Sequence, residues 1–445
     1  MSGVAATVPE VPRGSDFVSE NRRFLIIWAG RSWSMAMSSV ISFALSVHVY
    51  QQSQSAAWFA LMLVASVVPG LLAGPVAGRI ADAFPGRSIL LLESGALMAL
   101  HVLLGMILWF GTLEVWHLIV FNTAVSVCVA VYLPAWMLWS KLLVHGHDRP
   151  RALGLTQLSW SMAQTVGPML GGLMLPAMGL RNMVVMSLLS LSVEVATLWF
   201  AGKRCTVSTP DPSPVTPSAG GSRFSELLRL LCRYPWSCGL LFYGCVERGV
   251  FGVVVAIIPP FVLSAHSVTV LGSLQSTCAL GAVLGSLTLA LRRGSGRGRR
   301  IRFGLGMLMG LTVCLFGVST RLPCLYGWGV LAMFMVPLLQ VPAQLFLESK
   351  VPARFQGRMV ALRAMLGQAA FSLAALGSAV VAEQLFAPMM RGSGMHALVM
   401  PFLAMEKGAE YGLMLVLAGL LMMVVALIGL VMSRRASGLI FGDIK

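Results

Sequence analysis

The sequence predicts an all-α polytopic membrane protein, with twelve transmembrane helices in two pseudo-symmetric six-helix halves. Three observations predict it. Apolar runs recur from Phe24 to Met432, each close to the roughly 20 residues that cross a hydrocarbon core as a helix. Lys and Arg gather in alternate gaps between those runs. A Pro-, Ser- and Thr-rich stretch, 206–222, leaves six runs on either side. Composition agrees: 57% of residues are hydrophobic and 11% charged, with a mean hydropathy of +0.83, outside the range of soluble globular domains. Helix is the only state open to such runs, because backbone groups in lipid must be paired within the segment.

In chain order, residues 1–23 read as a polar cytoplasmic tail containing Pro9 and Pro12. It lacks the apolar region of a signal peptide, so span 1 (24–49) serves as the insertion signal. Span 2 (56–78) carries Gly70, Gly74 and Gly78; span 3 (88–110) carries Glu93 and span 4 (115–138) Asn122. Span 5 (153–176) is glycine-rich around Pro168, and span 6 (182–201) carries Glu194. Residues 202–235 read as a cytoplasmic linker, flexible by composition over 206–222. Within it, Arg223–Tyr234 alternates basic and apolar residues with helical period, as a helix lying on a membrane surface does. The second half holds spans 7 (236–258), 8 (268–291), 9 (301–319), 10 (325–347), 11 (359–382) and 12 (411–432), and residues 433–445 form a second cytoplasmic tail. The segment Glu383–Tyr411 is longer than its counterparts and reads as a lid or partner-binding patch. The eight cysteines show neither zinc-ligand spacing nor a disulfide framework, and read as small apolar thiols.

The net charge of +16 invites a nucleic-acid reading, but the placement of the charge argues against one. Of the 32 Lys and Arg residues, 26 fall on the side of both termini, in the tails, the 2–3, 4–5 and 8–9 loops, the linker and the 10–11 region. Four fall on the other side, and Arg31 and Arg248 lie inside spans. Such asymmetry places both termini in the cytoplasm, and basic juxtamembrane clusters favour anionic lipid.

The halves echo each other. Gly70-x-x-x-Gly74 in span 2 is matched by Gly281-x-x-x-Gly285 in span 8, and Gly167 in span 5 by Gly377 in span 11. Small residues every four positions give a face on which another helix approaches closely. Paired halves of this kind suggest a transporter that rocks about a central site.

Three segments carry a family resemblance. The 2–3 loop reads Gly78-Arg79-Ile80-Ala81-Asp82-Ala83-Phe84-Pro85-Gly86-Arg87; span 5 reads Ala163-x-x-x-Gly167-Pro168-Met169-Leu170-Gly171-Gly172; the 10–11 region reads Val351-Pro352-Ala353-Arg354-Phe355-Gln356-Gly357-Arg358-Met359. Over nearly its whole length the chain resembles the major facilitator superfamily, and within it the macrolide-efflux and enterobactin-exporter branch of drug:proton antiporters. The resemblance implies a conformational latch at Gly78, Asp82, Arg87, Arg354 and Arg358. It also implies an antiporter-type hinge and proton seal at Gly167, Pro168, Gly171 and Gly172, and a central cavity lined by spans 1, 4, 7 and 10. The chain departs from the pattern in four places. Ala83 and Gln356 stand where the family has Arg, Ser38 and Ser39 where the branch carries an acidic residue, and Asn122 near the place of the drug-exporter Arg.

Charge inside a bilayer costs at least about 2.5 kcal/mol at a span centre, so intramembrane charges are functional candidates by default. Glu247 and Arg248 are the sharpest pair. As neighbours they point about 100° apart and cannot form one good ion pair. Arg31 lies at a compatible depth to meet Glu247, giving a site that holds either a proton or a salt bridge. Glu93 and Glu194 lie nearer the cytoplasmic end. By resemblance their spans stand outside the cavity, and Glu93 is expected to join the charge network of Arg87 or Asp82. These five residues are the proton-coupling candidates. Trp33, Asn122, Trp136, Tyr243 and Phe251 are candidates to line a pocket for a bulky amphipathic substrate, although interface anchoring accounts equally well for several aromatics. His48 and His101, within spans, read as hydrogen-bonded packing residues.

The expectation is a proton-coupled exporter of a small organic molecule, of drug or siderophore type, in a bacterial inner membrane. Its partners are the substrate, protons and membrane lipid; no nucleic acid is involved, and the chain acts as a monomer. The alternatives are an importer of a nutrient or metal chelate on the same fold, and a non-transporting sensor or scaffold. The sequence shows no nucleophile with a neighbouring base, no phosphate-cradling loop, no metal set and no cofactor motif, which argues against an enzyme and for a gradient as energy source.

Overall fold

The computed structural model describes residues 20–144, 148–202, 235–291, 298–319, 321–350, 353–391 and 408–436. The predicted linker and most of the two tails and of the 383–411 segment lie outside the described residues. What is described is helical apart from short connections, with no strand among the described residues. Ten helices are long and apolar enough to cross a membrane, and Arg302–Val318 is a shorter apolar helix.

The helices follow the apolar runs and overshoot them. Span 1 is Arg22–Ser53, span 2 Ala56–Ala83, span 3 Gly86–Phe110 and span 4 Val115–Leu143. Spans 5 and 6 are the two arms of one continuous segment, Arg149–Gly202, broken at Gly179. That residue adopts φ 73° and ψ 166°, a conformation glycine reaches without Cβ strain. The break reverses the chain. Ser159, before it, bonds Ser32 of span 1, while Thr197, after it, packs on Gly30, two residues away on the same span. Spans 7 to 10 are Pro235–Leu263, Val268–Leu291, Gly298–Val318 and Leu322–Lys350. Span 11 runs from Ala353 through a single π-helical turn, Ala382–Phe386, to Arg391, and span 12 is Ala409–Ala436.

The two halves pack alike. Span 2 lies along span 4 and span 8 along span 10; span 3 packs on span 4 and span 9 on span 10. Span 1 packs against both arms of Arg149–Gly202, and span 7 against spans 11 and 12. Missing side chains set the closest approaches. A Cβ on Gly70 would lie 2.6 Å from the Ser126 carbonyl of span 4, and Cβ atoms on Gly281 and Gly285 would strike the carbonyls of Val330 and Phe334 in span 10. Gly74, Gly78 and Gly377 have open space instead.

Between the halves, span 5 meets span 8, span 2 meets span 11, and span 2 touches span 7. Among the described residues, the hydrogen bonds joining the halves all lie on the face away from the chain termini. The Tyr50 hydroxyl donates to the Pro260 carbonyl at 3.4 Å, and Thr269 Oγ1 donates to the Gly172 carbonyl at 3.2 Å. Glu383, in the π-helical turn of span 11, accepts from Ser55 Oγ at 2.8 Å and from the Ala56 amide.

Candidate functional site

Five of the charges inside the spans, Arg31, Glu93, Glu194, Glu247 and Arg302, form two buried clusters, one in each half. In the first, Arg31 of span 1 is the hub. Its Nη1 donates to Glu194 Oε1 of span 6 at 2.6 Å and to Glu93 Oε2 of span 3 at 3.3 Å. Its Nη2 donates to Glu93 Oε1 at 3.4 Å, so the guanidinium forks onto Glu93 as planar recognition of a carboxylate requires. Ser94 Oγ donates to Glu194 Oε1 at 2.8 Å. The Arg31 guanidinium carbon stands 3.6 Å from the Tyr132 ring centroid of span 4, where the ring's negative face meets a desolvated cation. Arg31, Glu93 and Glu194 are all buried. Two carboxylates surround one guanidinium, and Glu194 Oε2 and Arg31 Nε have no partner.

The second cluster inverts the charges. Glu247, on the first span of its half, accepts from Arg302 Nη2, on the third, at 3.4 Å. The Arg302 guanidinium stands 4.7 Å from the Tyr243 ring centroid, and that ring meets Phe303 edge-on. Glu247 and Arg302 are buried, while Arg302 Nε, Arg302 Nη1 and the Tyr243 hydroxyl have no partner. Arg363 and Arg248 also lie within electrostatic reach of Glu247.

This geometry corrects three sequence expectations. Arg31 does not meet Glu247; each has its own opposite charge inside its own half. Glu93 does not join Arg87, which donates to the carbonyls of Leu198 and Trp199 on span 6. Arg302, counted among the 26 basic residues on the side of the termini, is instead buried within span 9. The cause is common to all three. Sequence gives depth along a helix, whereas pairing depends on which way each helix is turned in the bundle.

Arg248 stands apart from both clusters. It is exposed in span 7, its stem lying over span 11, where a methyl group on Gly367 would come 3.3 Å from Arg248 Cγ. It makes no hydrogen bond or ion pair among the described residues.

The pocket candidates divide. Asn122, Trp136 and Tyr243 are buried in helix packing: Asn122 against Met62 Sδ, Trp136 against Phe24 and Tyr132. Phe251 is half-buried against Phe371 of span 11. Trp33 is 51% exposed, on a stripe with Ile26 and Ala29. Of the predicted hinge, Gly167 and Gly171 fit against Ser39 and Phe43 of span 1, and Gly172 against Gly272 of span 8, whose own Cβ would strike the Pro168 carbonyl. Of the predicted latch, the side chains of Asp82, Arg354 and Arg358 lie outside the described residues. His101 is buried, its Nδ1 2.8 Å from the Leu97 carbonyl.

Sequence reasoning missed Glu383 and Arg302. Glu383 opens the segment read as an external lid, yet it lies opposite Ser55, at the start of a helix with no acidic residue of its own in its first turn. Arg302 begins an apolar run that it shares with Gly306 and Met309 at helical spacing, the signal that it faces inward.

Comparison with known proteins places these features in context. The family model described as Major Facilitator Superfamily matches residues 27–375. Macrolide efflux protein A of Streptococcus pyogenes is 20% identical over 379 residues, 82% of this chain and 90% of that protein. The uncharacterized MFS-type transporter YfiS of Bacillus subtilis (strain 168) is 23% identical over 353 residues, 76% of this chain and 81% of that protein. Among solved structures, a bacterial homolog of the human lysosomal transporter Spinster, inward-facing and occupied, superposes with a TM-score of 0.66 at 16% identity, over 95% of this chain and 98% of that one.

Proposed function

The chain belongs to the Major Facilitator Superfamily, and from that premise we propose that it exports a small organic molecule, of drug or siderophore type, across a bacterial inner membrane in exchange for protons. Both termini lie in the cytoplasm on this reading, so the face joined by Tyr50–Pro260, Thr269–Gly172 and Glu383–Ser55 is the outer one, and the described state opens inward. Similarity to a macrolide efflux protein supports export.

The observation that carries the reading is the Arg31 cluster. With both carboxyls ionised it holds one negative charge in excess, and one proton on either carboxyl brings it to neutrality. A buried site avoids uncompensated charge, so proton occupancy and helix packing at spans 1, 3, 4 and 6 are linked. Alternating access then needs only that the two protonation states favour different arrangements of the halves.

The test is proton release by the purified protein in weak buffer on adding candidate drugs and siderophores, with Glu93→Gln, Glu194→Gln and Glu247→Gln alongside. Release in the wild type, lost in Glu93→Gln or Glu194→Gln and kept in Glu247→Gln, is expected. Loss only in Glu247→Gln moves coupling to the second half. No release with a compound that demonstrably binds overturns antiport.

A further inference from the structure

We infer that Arg248 is an anion-binding residue of the substrate cavity, and that the transported molecule carries a carboxylate, sulfonate or phosphate group. The inference rests on the transport reading above and names its substrate class. A permanent cation seven residues inside the apolar stretch Leu241–Leu263 sits about 10 Å along the helix. An exposed charge at that depth faces water rather than lipid. The neighbouring contacts fix its direction. Glu247, one residue earlier, points to span 9, and Gly252, one turn later, abuts Phe371 of span 11. Arg248 therefore emerges on the open side beside span 11, on the same face as Phe251.

The charge around it is unbalanced. Near span 7, among the described residues, Arg248, Arg302 and Arg363 lie around a single carboxylate, Glu247. Arg302 is committed to Glu247, and Arg363 Nη2 donates to the Gln340 carbonyl of span 10. In the first half the surplus carboxylate is enclosed with Arg31 and is not exposed. Among the described residues, the accessible charge at this level is thus a guanidinium, whose planar fork matches oxyanions. Phe251, leaning on Phe371 at 6.0 Å between ring centroids, supplies an apolar surface beside it for the rest of an amphipathic anion.

The test uses three naphthalene probes of one ring system and different charge: naphthalene-2-sulfonate, the uncharged sulfonamide, and the naphthyl-methylammonium cation. Each is titrated into protein in neutral detergent while the thermal unfolding midpoint is followed, since a ligand that binds only the folded state raises it with concentration. The sulfonate is expected to raise the midpoint, the cation not at all. Arg248→Gln should abolish the rise and Arg248→Lys keep part of it. A rise that persists in Arg248→Gln, an equal rise with the cation, or no rise in the wild type overturns the inference. A parallel titration with phosphatidylglycerol separates the sources. An Arg248-dependent rise with the lipid and none with the sulfonate assigns the site to a headgroup and overturns the substrate role. Transport with proton exchange but no sulfonate effect removes this inference and keeps the transport reading; an Arg248-dependent sulfonate effect without proton exchange does the reverse.

Discussion

At the residue scale, one guanidinium answers two carboxylates. Removing Arg31 leaves Glu93 and Glu194 buried together, and breaking a buried ion pair costs about 3–5 kcal/mol. Arg31→Gln should therefore lower the unfolding midpoint sharply. Glu194→Gln leaves Arg31 its fork on Glu93, and should cost less, at most about 1.5–3 kcal/mol, the range of one hydrogen bond to a charged group. The triple change Arg31→Gln, Glu93→Gln, Glu194→Gln should recover much of the loss, because replacing a whole buried network is far cheaper than orphaning part of it. Thermal unfolding of the three variants checks the order; Glu194→Gln falling as far as Arg31→Gln would contradict it. The members of this network were legible in the sequence, because so few charges lie inside apolar runs. Their partnership was not. Glu247 sits at a depth that suited Arg31, and only the turn of span 7 in the bundle, which sequence does not fix, gives it to Arg302.

At the element scale, the closed face away from the termini depends on glycine backbone and one capping carboxylate. A side chain on Gly272 meets the Pro168 carbonyl and the Gly172 Cα, both across the boundary between halves. Overpacking costs about 1–3 kcal/mol, here charged against the closed face and not against either half alone. Gly272→Val should leave the protein folded but slow transport about tenfold, since about 1.4 kcal/mol is a factor of ten. Gly377→Ala, where nothing lies within 4 Å, is the control and should be silent. Glu383 caps the start of span 2 from span 11, and a carboxylate at a helix N-terminus contributes about 0.3–2 kcal/mol. Glu383→Ala should raise the outward-open population, read as faster labelling of a cysteine at Ser38 by an impermeant maleimide from outside, in a cysteine-free background. Unchanged labelling would show that the cap does not hold the face shut. The apolar runs gave most of the helices to within about five residues, but span 11 runs from Ala353 to Arg391 where the sequence predicts 359–382. The π-helical turn had no such signal: Ala382–Phe386 carries span 11 on past its predicted end at residue 382. The predicted 5–6 loop shrinks to a single non-helical residue, Gly179, because one glycine suffices to reverse the helix.

At the scale of the molecule, two bodies of like packing and opposite internal charge meet along spans 2, 5, 7, 8 and 11. The like packing was readable in one glycine echo of three: Gly70 and Gly281 make corresponding contacts, on spans 4 and 10, whereas Gly74 and Gly377 have open space where their counterparts Gly285 and Gly167 are tightly packed. The inversion of charge was not, because it pairs residues on spans far apart in the chain. Each half carries its own buried ion pair, so moving one half against the other breaks neither. What the motion must break, among the described residues, are the polar contacts on the face away from the termini, the glycine packing of spans 5 and 8, and the apolar cluster in which Phe43, Val47, Ala56 and Ala60 of the first half join Val253, Ile257 and Phe261 of the second. If export proceeds by alternating access, fixing that face must stop it. With Ser55→Cys and Glu383→Cys on a cysteine-free background, positions whose side-chain oxygens lie 2.8 Å apart in the native pair, a short bis-methanethiosulfonate reagent should staple the halves and reduce transport to the level of empty vesicles. Reductant, by releasing the staple, should restore it. The unlinked double variant should remain active, because the lost cap weakens the closed state without abolishing it. Transport that continues at full rate with the staple in place would mean that substrate leaves by another route, and rocking of the halves about this face would have to be abandoned.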